Sequence, residues 1–233
     1  GSFPAIAQDE PYALVKVGSS EEFATRNSKG AVTDYHVVKV TGCRTVGDTL
    51  VVTREMTILD KNHRPNPKFK NLTSHIKVID GQVIDDSFSE LVLSSVGYAI
   101  ADYNFTEDQK KEVEIGISGE VGRIPALLTP GTKLPDSKLD VSFVGGVITM
   151  HVKNYGRKVL GTEKVTTPAG TFDCVMLEEF YSLNVTVISE KTRQITWYAP
   201  GIGEVKTESW NKGRKSGYPD SITVLNKLQT NHQ

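Results

Sequence analysis

The stretch TTPAGTFDC, residues 166–174, carries side chains that could serve as nucleophiles, among them the hydroxyl of Thr166. A threonine nucleophile needs a general base within hydrogen-bond reach, and the only basic residue nearby is Lys164, which the predicted strand would keep apart from it. Pro168 suits the first central position of a turn, and Gly170 can adopt the left-handed backbone that closes a three-residue hairpin with a bulge. The stretch therefore predicts a turn between two strands.

The histidines show no spacing typical of a metal site. They are His36, His63, His75, His151 and His232. Metal-binding histidines commonly follow spacings such as H-x-H or H-E-x-x-H, and neither pattern occurs. The sequence predicts no metal site and no cofactor.

Carboxylates occur as adjacent pairs, for example Asp85-Asp86 and Glu178-Glu179. Neighbouring residues on a strand point to opposite faces, so such a pair cannot act together on one bond. Two carboxylates from distant strands would still suit a hydrolase. The sequence assigns no catalytic residue and leaves this alternative open.

Composition narrows the classes of partner. The formal net charge of −1 gives no support to nucleic-acid binding, and no run of about 18 apolar residues is present to span a membrane. Cys43 and Cys174 are too few for a disulfide scaffold or a cysteine zinc site. Whether they form one disulfide, and which oligomeric state the chain adopts, stays open at this stage.

Aromatic residues give the clearest indication of binding. Five of them fall on strands predicted to be neighbours: Phe180, Tyr181, Trp197, Tyr198 and Trp210. Strand alternation puts Trp197 and Ile195 on one face and Tyr198 and Thr196 on the other. Such residues usually fill a core, but the concave face of a curved sheet can hold an apolar ligand. We assign these five residues to a candidate ligand site.

Short β-rich runs separated by turn residues dominate the chain. Asp80-Gly81, within HIKVIDGQVID, is a strong hairpin signal, and a second turn is predicted at Gly47-Asp48. The one helix signal is Thr106 followed by Gln109, which fits a capping box. These patterns predict an all-β fold, an antiparallel curved sheet or open β-barrel with at most one or two short helices.

The N-terminus suggests export. Ala5-Ile6-Ala7 precedes Gln8, in the small-x-small pattern at which signal peptidases cut. We predict that residues 1–11 are a flexible remnant of a signal-peptide region and that residues 12–233 form a single β domain.

Four C-terminal stretches together resemble the TapB-like group of exported bacterial proteins of unknown function. They are LTPGTKLPD (128–136), GTEKVTTPAGTFDC (161–174), WYAPGIGEVKTESW (197–210) and the final strand SITVLNKL (221–228). The resemblance covers the C-terminal half well, whereas the N-terminal half agrees mainly in being rich in strands.

This resemblance implies an exported all-β protein, periplasmic or associated with the outer membrane, with an open barrel similar to lipoprotein-carrier proteins. It implies no catalytic residues, because shared positions such as Pro168 and Gly201 have structural roles available. Many exported relatives are lipid-anchored through an N-terminal cysteine, and whether this chain is anchored stays open at this stage.

Three functions follow as hypotheses. In the first, a non-enzymatic envelope protein binds an apolar or amphipathic small molecule, such as a lipid, on a concave sheet face. In the second, a structural or adaptor protein of the envelope acts through a surface or sheet edge. The third is a hydrolase with carboxylates from separate strands.

Overall fold

A computed structural model describes residues 10–67, 71–90, 106–112, 115–143 and 148–230 of the chain. Within these ranges no helix is long and apolar enough to cross a membrane. The predicted remnant at residues 1–11 falls mostly outside the described residues, which begin at Glu10.

Twelve antiparallel strands make up most of the described chain. They are β1 (Ser20–Asn27), β2 (Val32–Val46), β3 (Thr49–Asp60), β4 (Leu72–Ile79), β5 (Gln82–Asp85), β6 (Gly116–Glu120), β7 (Ser137–Phe143), β8 (Ile148–Thr167), β9 (Gly170–Val185), β10 (Ile188–Ala199), β11 (Gly203–Asn211) and β12 (Ser221–Gln229). A short helix, Glu107–Glu112, lies between β5 and β6, and residues 87–90 are also helical.

The strands form one sheet in the order β5-β4-β3-β2-β1-β12-β11-β10-β9-β8-β7-β6. Each strand thus pairs with its neighbours in sequence, except that β5 and β6 form the two ends of the sheet, and β12 pairs with β1. The sheet curves into a nearly closed barrel, which confirms the predicted all-β fold, and the described residues hold only the two short helical stretches. Antiparallel up-and-down strands close in this way because the connections between neighbours can be short.

The two ends of the sheet meet at a single bridge. The backbone N–H of Val83, on β5, donates to the carbonyl of Ile124 at 2.8 Å, and the N–H of Ile124 donates back to Val83 at 2.9 Å. No regular ladder joins β5 to β6 among the described residues. This bridge is therefore the narrow seam of the barrel.

The predicted turns and helix start are present. Asp80 and Gly81 both have positive φ, as a two-residue hairpin of the predicted type requires. The Thr106 hydroxyl accepts from the Gln109 backbone N–H at 3.2 Å, and the Gln109 side chain accepts from the Thr106 N–H at 2.9 Å. This reciprocal pair is the predicted capping box.

The TTPAGT stretch is a hairpin turn, as predicted, but a tighter one. Thr167 pairs directly with Gly170, which leaves two turn residues rather than three. The hydroxyls of Thr166 and Thr171 lie 3.0 Å apart across the hairpin. Every unusual residue of the stretch therefore has a structural role.

The interior of the barrel is plugged at one end by the segment that precedes β1. Tyr12, Ala13 and Leu14 are buried in the main hydrophobic cluster with residues from β2, β3, β8 and β9. The backbone N–H of Gly201 donates to the Pro11 carbonyl at 2.8 Å, which fixes the segment to the β10–β11 turn.

The cysteines do not form a disulfide in this structure. Cys43 is exposed on β2, whereas Cys174 is buried on β9 in a second cluster around Trp197 and Trp210. Burial raises the pKa of the Cys174 thiol to about 12, so this thiol stays protonated at neutral pH.

Candidate functional site

A cavity of about 540 Å³ lies inside the barrel. Its wall includes side chains from strands around most of the ring, and the segment at Tyr12 and Leu14 also contributes. A second cavity of about 230 Å³ shares Val38, Arg54 and Met56 with it. Cavities that hold small molecules in proteins commonly measure about 300–1,000 Å³, so the larger one is of a suitable size.

Much of the wall is apolar. This part comprises Ile124 and Ile202 from loops and, from seven strands, Phe23, Val38, Val40, Met56, Ile76, Val83, Val152 and Leu183. Alternation brings them inside, because every second residue of a half-buried strand faces the same way. Such a surface suits an acyl chain or another apolar group.

Charged side chains interrupt the apolar wall. Four carboxylates line the cavity together with one arginine: Glu21 on β1, Asp85 on β5, Glu190 on β10, Glu204 on β11 and Arg54 on β3. Carboxylates are almost never buried without a partner. Their convergence in one cavity marks this region as the candidate site.

Arg54 pairs with only one of these carboxylates. Its Nη2 lies 3.0 Å from Oδ2 of Asp85, whereas its Nε–H is buried and has no hydrogen-bond partner. The guanidinium also lies close enough to Glu21 and Glu204 to lower the pKa of each. Arg54 therefore occupies the centre of the charged group.

Glu21 is the most completely buried of the lining carboxylates, since only 8% of its surface is exposed. Its Oε1 has no hydrogen-bond partner. Desolvation raises the pKa of this carboxyl to about 8, and repulsion from Glu204 adds to the rise while Arg54 opposes it. Glu21 is thus mostly protonated at neutral pH.

Glu204 lies on β11 and also lines the cavity, with β12 between it and Glu21 on β1. Its side chain keeps accessible surface and lines the cavity. Burial raises its pKa to about 7, with Asp85 and Glu179 adding to the rise and Arg54 lowering it. Two carboxyl groups with raised pKa values therefore share one interior space.

A second charged pair lies beside the cavity and binds the hydroxyl of Tyr181, which lines it. Arg157 Nε donates to Glu179 Oε1 at 2.6 Å, with both side chains only 3% exposed. Arg157 Nη2 donates to the carbonyl of Arg123 at 2.9 Å, and the Tyr181 hydroxyl donates to Glu179 Oε2 at 3.1 Å. These contacts give both side chains of the pair hydrogen-bond partners, whereas Glu21 Oε1 and Arg54 Nε have none among the described residues.

Bulges explain why two of these charged residues point inward. In β8 the register shifts between Tyr155 and Lys158, where Gly156 has a φ of +60°, and Arg157 lies within this shift. In β11 the register shifts so that Glu204 pairs with Tyr198 while Lys206 pairs with Trp197. A bulge redirects a side chain that regular alternation would place on the other face.

The five predicted ligand residues are divided between two environments. Tyr181 and Tyr198 line the cavity, and burial raises the pKa of both hydroxyls well above the usual value. Trp197 and Trp210 instead belong to the second cluster, on the other face of β10. The indole N–H of Trp197 donates to Glu163 at 2.7 Å, and that of Trp210 donates to the Gly217 carbonyl at 2.9 Å.

Phe180 also lies away from the cavity, stacked on Tyr155 with ring centroids 5.6 Å apart. The structure therefore brings two of the five predicted residues to one site and places the other three in packing roles.

Sequence reasoning missed Glu21, Arg54 and Glu204. Arg54 carried a signal, because alternation puts it on the same face of β3 as Val52 and Met56, and an arginine on an apolar face is unusual. Glu21 shares a face with Phe23 in the same way. Glu204 carried none, since the bulge that turns it inward has no mark in the sequence.

No group of three or more metal-binding side chains occurs in the parts of the chain that the structure describes. His36 does line the cavity, stacked on Phe23 with ring centroids 4.7 Å apart. Burial lowers its pKa, so the imidazole is neutral at neutral pH.

Comparison with known proteins identifies relatives. A family model described as DUF3108-like matches residues 16–220. None of the curated proteins compared with the sequence matches it.

Two solved structures share the fold. One is a predicted exported protein with a YmcC-like fold from Bacteroides fragilis. It matches this chain with a TM-score of 0.66 and 18% sequence identity, and the match covers 95% of this chain and 100% of the other. The other is a predicted lipoprotein from Parabacteroides distasonis. It matches with a TM-score of 0.66 and 16% sequence identity, and the match covers 94% of this chain and 99% of the other. At these identities the similarity establishes the fold alone.

Proposed function

The chain belongs to the DUF3108-like family, and from this premise we propose that it is an exported cell-envelope protein that binds an apolar or amphipathic molecule inside its barrel. The cavity of about 540 Å³ carries the proposal, because its wall combines an apolar surface with a few polar groups. Covering an apolar chain there would contribute about 25 cal/mol for each Å² of apolar surface removed from water, before ordering costs.

Export is supported by the small-x-small pattern at Ala5-Ile6-Ala7 and by the descriptions of the two structural relatives as an exported protein and a lipoprotein. Placement in the periplasm or at the outer membrane, and membership of the TapB-like group, belong to the same proposal.

A probe that fluoresces in apolar surroundings tests the binding function. We expect the uncharged dye N-phenyl-1-naphthylamine to bind saturably to the wild-type protein and to be displaced by dodecanol. The substitution Val38→Trp should weaken this binding markedly, because Val38 lines both cavities and an indole there occupies part of the space.

Val37→Trp is the matched control, since alternation turns this neighbour on β2 away from the cavity. It should leave dye binding unchanged. Circular dichroism checks that both variants keep the wild-type fold. The proposal would be contradicted if the dye did not bind saturably to the wild-type protein, or if both variants lost dye binding to the same extent.

A hydrolase is the second candidate, and the convergence of Glu21 and Glu204 favours it. Two carboxyl groups with pKa values of about 8 and about 7 suit general acid and base roles near neutral pH. We expect such an enzyme to release nitrophenol from nitrophenyl esters or glycosides, and to lose this activity in both Glu21→Gln and Glu204→Gln. Release that survives both substitutions would exclude these residues as the catalytic pair.

A further inference from the structure

The charges that line the cavity do not balance. Among the described lining side chains there are four carboxyl groups but only one arginine. The ion pair between Arg54 and Asp85 neutralises one of the four. Among the described residues, Glu21, Glu190 and Glu204 form no ion pair. Arg54 lies near Glu21 and Glu204 and lowers the pKa of each, but it pairs directly with Asp85 alone, and Glu190 is exposed.

The nearby basic groups do not supply the missing charge. His36 is held neutral, since burial lowers its pKa. Arg157 is engaged by Glu179 and by the Arg123 carbonyl. The interior therefore has room for one more positive charge.

Glu21 also lacks a hydrogen bond that its position calls for. Its Oε1 is buried and has no partner, and a buried oxygen without a partner costs the protein its full desolvation. Since Glu21 lines the cavity, a rotation of its carboxyl group would bring this oxygen within reach of a donor placed in that space. This unpartnered oxygen indicates a ligand that donates a hydrogen bond to Glu21.

From these observations we infer that the cavity selects amphipathic molecules with a cationic, amine-type head, which donates hydrogen bonds to Glu21 and lies against Glu204. The apolar tail then contacts Val38, Met56 and Leu183. This inference rests on the proposed binding function and specifies the chemical class of the ligand.

Protons take the place of the cation on these carboxyl groups when no ammonium group is bound. Charged or titratable groups line the cavity with Glu21 from several elements: Tyr12 before β1, His36 on β2, Arg54 on β3, Asp85 on β5, Tyr181 on β9, Tyr198 and Glu190 on β10, and Glu204 on β11. The raised pKa values of Glu21 and Glu204 mean that both carry protons part of the time near neutral pH. An ammonium group favours their ionised forms, so its binding releases protons and strengthens as the pH rises.

The test compares three ligands of equal chain length by their displacement of N-phenyl-1-naphthylamine: dodecylamine, dodecanol and dodecanoate. At about pH 8.5, above the pKa of Glu21, we expect dodecylamine to bind at least about tenfold more tightly than dodecanol, as a charged hydrogen bond provides. Dodecanoate should bind more weakly than dodecanol. At about pH 6 the advantage of the amine should shrink, because both glutamates are then protonated.

The double substitution Glu21→Gln with Glu204→Gln should remove most of the amine's advantage and its pH dependence, while dodecanol still binds. Glutamine has the shape of a protonated glutamate, so the fold should persist. Glu208→Gln is the matched control on the same strand, because Glu208 pairs with Lys206 on the outer face, where Lys206 lies over the ring of Trp197.

The outcomes separate the two proposals. If dodecanol and dodecylamine displace the dye equally, the binding function stands and the cationic site is overturned. Tighter binding of dodecanoate than of dodecylamine would also overturn it, as would an amine advantage that survives the double substitution. If no ligand and no dye binds, the proposed function itself fails.

Discussion

Glu21 is the residue at which burial and charge conflict most directly. It occupies an interior position of β1 beside Phe23, and desolvation raises its pKa from the usual 4.5 to about 8. An acid with a raised folded pKa contributes its full stability below its unfolded pKa of about 4.5. That stability is lost as the pH rises through about 8.

We therefore expect the free energy of unfolding to fall between about pH 5 and about pH 9, and Glu21→Gln to reduce this fall by stabilising the protein at the alkaline end. Urea unfolding at both pH values measures the effect, with Glu208→Gln as the control. An unchanged pH dependence in the Glu21 variant would contradict the raised pKa.

At the scale of elements, the seam between β5 and the segment after β6 is the weakest join in the sheet. Two backbone hydrogen bonds between Val83 and Ile124 connect the two sides, whereas β1 and β12 pair over most of their length. Local opening is easiest where few backbone hydrogen bonds and few buried contacts resist it.

We expect the amides of Val83 and Ile124 to exchange with solvent faster than those of Ala24 and Val224, which lie in the β1–β12 ladder. Hydrogen exchange followed by mass spectrometry or NMR measures this difference. Equal protection at the two places would mean that the seam is as stable as the continuous sheet.

The turns and helix ends that a few adjacent residues determine were the most predictable elements. The Asp80-Gly81 turn and the capping box of Thr106 and Gln109 follow from a few adjacent residues. The number of turn residues after Thr167 was wrong by one, because Gly170, with a φ of +138°, is already the first residue of β9 and pairs with Thr167. Such a difference depends on strand register, which a single hairpin sequence does not determine.

At the scale of the whole molecule, the curved antiparallel sheet was predictable from repeated alternation, but the content of its interior was not. The tyrosines at 181 and 198 were assigned to a site, and the cavity includes them. The charged group around Arg54 depends on residues brought together from five strands and on the β11 bulge at Glu204. Distances between strands that are remote in sequence have no local signal.

The pairing of β1 with β12 also has a consequence for the order of folding. The hydroxyls of Thr25 and Thr223 lie 2.9 Å apart across this pair, although 198 residues separate them along the chain. During vectorial synthesis β1 can pair with β2 at once, but its other edge stays bare until the final strand emerges. Closing so long a loop is entropically costly and slow, and a bare strand edge readily pairs with other chains. The interval before β12 arrives is therefore the period in which a folding chaperone would protect this protein most.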